Sequence, residues 1–109
     1  MPNGHPTIST HVLDTASGRP APGIGVRCWR LGGDVPEAVG EGVTDADGRI
    51  RDLLGEAPLV SGVYRLSFDL DAGRFFATVT LEVRIDDPSR SHHVPLLLAP
   101  YGLTTYRGS

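Results

Sequence analysis

The sequence contains no lysine; all ten of its basic residues are arginine. Schiff-base and lysine-nucleophile chemistry are therefore excluded for this chain. Cysteine is almost as scarce. Cys28 stands alone, so the chain cannot build an internal disulfide framework, and a single thiol fits a reducing cytoplasm. No apolar run approaches the ~20 residues needed to cross a bilayer, so no membrane is expected. Residues 1–6 show neither a basic nor an apolar leader region, and no signal peptide is expected. Clustered positive charge is also missing. The net charge is −3, which argues against a nucleic-acid footprint.

What the chain has is punctuation and alternation. Glycine and proline number 14 and 9 in 109 residues, which disfavours long helices and favours short strands joined by turns. Hydrophobic residues make up 39%, enough for one packed domain over residues 1–109. Period-2 alternation predicts strands over residues 7–14, 24–29, 39–44, 49–53, 63–70, 75–85, 93–99 and 101–107. In the first, Ile8, Thr10 and Val12 share one face and Ser9, His11 and Leu13 the other. The best amphipathic strand places Phe75, Ala77, Val79, Leu81, Val83 and Ile85 on one face. Asp45-Ala46-Asp47-Gly48 reads as a turn, because glycine supplies the positive φ that such turns demand. The same stretch resembles the start of a calcium loop, but the downstream Glu is absent from the required position. Seven or eight strands in a chain of this length indicate an all-β two-sheet sandwich.

Four histidines are present: His5, His11, His92 and His93. Histidine titrates near neutrality, so two converging on a pocket could activate a water. Taken singly, each reads as a surface or half-buried residue bonded to a neighbour. His92 should point away from His93. No metal-ligand spacing is present, and no metal or cofactor is expected. Trp29 reads as packing, and Cys28 as an inert buried thiol.

Four segments carry a resemblance over nearly the whole chain. They are Ser9-Thr10-His11-Val12-Leu13-Asp14, Thr44-Asp45-Ala46-Asp47-Gly48-Arg49, His93-Val94-Pro95-Leu96-Leu97-Leu98 with Pro100-Tyr101-Gly102, and Tyr106-Arg107-Gly108-Ser109. The sequence resembles the transthyretin-related proteins, specifically the 5-hydroxyisourate hydrolases. The resemblance implies a transthyretin-like (prealbumin-like) sandwich, assembled as a homotetramer, a dimer of dimers with its sites in an interface channel. It implies hydrolysis of 5-hydroxyisourate to 2-oxo-4-hydroxy-4-carboxy-5-ureidoimidazoline in urate breakdown, without a cofactor. The family's catalytic positions fall on His11, Arg49 and His93, and its substrate-binding tail on Tyr106, Arg107, Gly108 and Ser109. One departure is plain. The family's short helix has no room here, because only Leu70 to Arg74 separates the flanking strands. Arg51 shares a strand face with Arg49 and is an alternative for the arginine role.

The chemistry implied is the opening of a cyclic amide by water. A histidine suits the base and a guanidinium suits the oxyanion. A serine at the extreme tail lacks triad geometry for covalent catalysis. A non-catalytic small-molecule carrier of the transthyretin type is the alternative, though its channel should be more apolar. A third reading is a passive sandwich module, which leaves the terminal motif without a reason.

Overall fold

The computed structural model describes residues 5–108, and every helix or strand assigned among them is a strand. In chain order these are β1 (Ile8–Asp14), β2 (Arg19–Pro20), β3 (Gly25–Arg30), β4 (Glu37–Val43), β5 (Arg49–Ile50), β6 (Gly62–Asp69), β7 (Thr78–Ile85), β8 (His92–Leu98) and β9 (Leu103–Thr105). They form two sheets. One runs β2-β1-β8-β9, with β5 also pairing β1; the other runs β4-β3-β6-β7. The β1–β8 pairing is parallel; the other ladders are antiparallel.

The alternation read from the sequence explains the layers. Ile8, Thr10 and Val12 point inward and are buried, as are Val94, Leu96 and Leu98 of β8. Val26 and Cys28 of β3 and Tyr64, Leu66 and Phe68 of β6 meet them from the other sheet. Burying one such large apolar side chain contributes roughly 1.5–3 kcal/mol. The Thr10, Thr44 and Tyr64 hydroxyls in this interior each find a partner. The Thr10 hydroxyl donates to the Val94 carbonyl at 2.6 Å. The Thr44 hydroxyl donates to the Ala21 carbonyl and accepts the Ile24 N–H, both at 2.8 Å. The Tyr64 hydroxyl accepts the Val60 N–H.

The sandwich is as expected, and the described residues contain no helix between β6 and β7. The strand bounds shift at most ends, and three strands are clearly shorter than expected. The strand expected from Phe75 starts at Thr78, because its partner β6 ends at Asp69, directly opposite Thr78. Phe75 and Phe76 therefore stay outside the core and lie edge-on to each other at 5.0 Å, with Phe75 also 6.0 Å from Tyr101. Arg74 ties this loop down through Asp71 at 2.7 Å and Asp14 of β1 at 3.1 Å. The strand expected over residues 49–53 is only Arg49–Ile50, and the last strand covers Leu103–Thr105. β2 is an extra two-residue pairing against the end of β1, between the first two expected strands.

Candidate active site

Three distant stretches of sequence meet on the outer face of the first sheet. The β1 alternation turns Ser9 and His11 outward. β5 lies antiparallel to β1 with Arg49 directly opposite His11. On the other flank, β8 runs parallel to β1 with His93 beside Ser9.

The turn before β5 places Arg49. The Asp45 side-chain oxygen accepts the N–H groups of Asp47 at 2.9 Å and Arg49 at 3.0 Å. The Arg49 N–H is the main cause holding the Asp45 carboxyl below its usual range. Asp45 thus acts as a main-chain acceptor in a turn. Gly48 has φ 75° and donates its N–H to the Asp45 carbonyl, while its own carbonyl accepts the Val12 N–H at 2.8 Å. A Cβ there would stand 2.5 Å from the Val12 carbonyl oxygen, so only glycine lets the turn seat this closely on β1. Arg51, the alternative arginine, is held by Asp45 at 3.0 Å. Arg49 has no ion-pair partner among the described residues.

His93 is fixed from two sides. Its Nδ1 lies 2.8 Å from the Ser9 hydroxyl oxygen. The Gly108 N–H donates to the His93 carbonyl at 2.7 Å, and a Cβ on Gly108 would sit 2.6 Å from the ring's Cδ2. The tail backbone therefore lies flat against the imidazole. Burial, then Arg49 and His11, lowers the His93 pKa below the ordinary 6.5, which keeps the ring neutral at neutral pH. Ser9, Arg49, Ser91 and His93 help to line a hollow of about 330 Å³ on this face.

The tail divides. Gly108 lies at His93. Tyr106 and Arg107 line a neighbouring cavity of about 350 Å³, where the edges of the two sheets part, with Leu81, Val83 and His92. Ser109 lies outside the described residues. His92 joins Val94 in that cavity, and its Nδ1 is buried without a hydrogen-bond partner among the described residues. No group of three or more His, Cys, Asp or Glu that could hold a metal ion occurs among the described residues. Cys28 is 1% exposed and burial pushes its thiol up to about 12, as an inert core thiol requires. Trp29 is half-buried, with the Arg27 guanidinium 5.5 Å from its ring centre. Ser9 is the site residue without an assigned role in the sequence reading. Its signal was the Ser-x-His spacing, which puts it on the same strand face as His11.

Fold and site together define a transthyretin-like sandwich carrying a histidine–arginine cluster on one sheet. A family model described as HIUase/Transthyretin family matches residues 8–108, and the chain belongs to that family. It is 42% identical to the 5-hydroxyisourate hydrolase of Deinococcus radiodurans, over 98% of this chain and 99% of that one. The solved 5-hydroxyisourate hydrolase of Klebsiella pneumoniae superposes with a TM-score of 0.80 at 36% identity, covering 95% of this chain and 99% of that one. Sea bream transthyretin, solved in complex with thyroxine, superposes with a TM-score of 0.83 at 28% identity, covering 93% of each chain.

Proposed function

We propose that this protein hydrolyses 5-hydroxyisourate in urate degradation, with His11, Arg49 and His93 as its catalytic residues. The observation that carries this reading is their convergence on one face from three separate strands. Water adds across a ring C–N amide bond: a C–O bond forms, the C–N bond breaks, and the departing nitrogen takes a proton. His93, neutral at working pH, takes the proton from water and returns it to the leaving nitrogen. His11 holds the water. Arg49 carries no ion-pair partner among the described residues, so its guanidinium is available for the oxyanion. Tyr106, Arg107, Gly108 and Ser109 are proposed to bind substrate and shape the pocket, with Gly108 packing on His93.

The assembly proposed is a homotetramer, a dimer of dimers. β7 and β9 end their sheets side by side with unpaired backbone edges, and edge-to-edge pairing with a second copy would cover them. A cytoplasmic location is proposed from the lone, buried Cys28. Among the described residues, no helix is long and apolar enough to cross a membrane.

The test uses substrate generated in place by urate oxidase and followed by its ultraviolet absorbance. Decay well above the spontaneous rate supports the hydrolase. Decay at the spontaneous rate supports a carrier, the second reading that the likeness to sea bream transthyretin favours. The charged lining of the outer hollow speaks for turnover, since a carrier's channel would be more apolar.

A further inference from the structure

We propose that Ser9 is a positioning residue for His93: its hydroxyl accepts the imidazole Nδ1–H and so reserves the Nε2 lone pair as the basic atom. The inference rests on the reading of His93 as the base.

A neutral imidazole carries one proton, on either nitrogen, and the partner of one nitrogen decides what the other can do. The Ser9 oxygen, 2.8 Å from Nδ1, can accept or donate, so by itself it leaves the choice open. The reading of His93 as the base supplies the deciding step. With Nδ1 taken by Ser9, only Nε2 is left to meet the water, and a base needs its lone pair there. The single proton of the neutral ring is then on Nδ1, and the Ser9 hydroxyl accepts it. The parallel register, with Ser9 directly beside His93, brings the hydroxyl to the ring.

The ring is then kept in place from the other side. Gly108 leaves no room for a side chain against Cδ2, and its N–H is spent on the His93 carbonyl. Its contact with the imidazole is packing, which opposes rotation away from Ser9. A base must meet its water within hydrogen-bond reach, and a misplacement of about 1 Å can cost about 100-fold in rate. A ring held by β1 and by the tail meets that demand without a carboxylate partner.

The test reads the tautomer directly, by long-range nitrogen–proton NMR of the histidine rings in the full-length protein above pH 7. The expected wild-type signature is a proton on Nδ1 of His93. An Nε2–H signature in the wild type would overturn the proposal with no variant needed. Ser9→Ala should shift the ring toward Nε2–H and lower kcat about tenfold, with a smaller change in KM. Ser9→Thr, which keeps a hydroxyl, should restore both. An unchanged tautomer in Ser9→Ala overturns the proposal whatever the activity. His93→Gln separates the two ideas: full activity in that variant removes His93 as base, while the tautomer result still decides the role of Ser9.

Discussion

Burial, then Arg49 and His11, lowers the pKa of His93 below 6.5. Two consequences follow for pH. The active form is the neutral ring, so the acid limb of kcat/KM should have its midpoint below 6.5. A pH–rate profile checks this, and a midpoint above 7 would contradict it. The folded ring also binds its proton less tightly than the unfolded one. The stability this confers is full above pH 6.5, and it is lost as pH falls through the folded value. Arg49→Met removes a neighbouring cation, so the NMR titration midpoint of His93 should move up in that variant. At this scale His11, Arg49 and His93 were legible through the motifs that hold them. The role of Ser9 was not. It depends on a parallel pairing between residues 84 apart in sequence, and alternation within one strand carries no information about its neighbour.

At the scale of elements, the turn over residues 45–48 sets the position of Arg49. Gly48→Ala would force a side chain into the left-handed region and to within 2.5 Å of the Val12 carbonyl oxygen. Its cost should be at least about 1 kcal/mol in a urea titration. The activity of the remaining folded protein should fall as well, because β5 would be pushed off β1. Unaltered stability would mean that the turn is not seated as described. The Asp-Gly signal for this turn was plain in the sequence, as were β6, β8 and above all β1 and β3, whose alternation matches their burial. Periodicity predicts strand at residues 75–77 because Phe75 and Ala77 fit it. The ladder nonetheless ends at Asp69 opposite Thr78, and beyond it the Leu70 N–H bonds the Ala77 carbonyl at 2.9 Å without extending the strand to Phe75. β2 escaped notice because two residues are too few to show a period.

For the whole molecule, the interior is a single cluster shared by both sheets, so damage at its centre should propagate everywhere. Phe68 is 0% exposed, and Phe68→Ala should cost about 3–5 kcal/mol. Against a typical domain stability of about 5–15 kcal/mol, that loss should leave a measurable unfolded fraction on mild heating. Thermal unfolding by circular dichroism checks it. The sandwich as a whole was legible because strand number, turn spacing and the family motifs agreed. The division of the tail was not. Tyr106, Arg107 and Gly108 are adjacent in sequence, yet the backbone delivers Gly108 to His93 and the other two to the neighbouring cavity.

The most direct test of the catalytic assignment compares 5-hydroxyisourate decay in the intact protein with that in His11→Asn, Arg49→Met and His93→Asn, each first shown to be folded. General acid–base groups typically contribute about 100- to 10,000-fold. The expected result is fast decay in the intact protein and a loss of at least about 100-fold in each variant. Near-normal turnover in all three would place the chemistry elsewhere on the molecule.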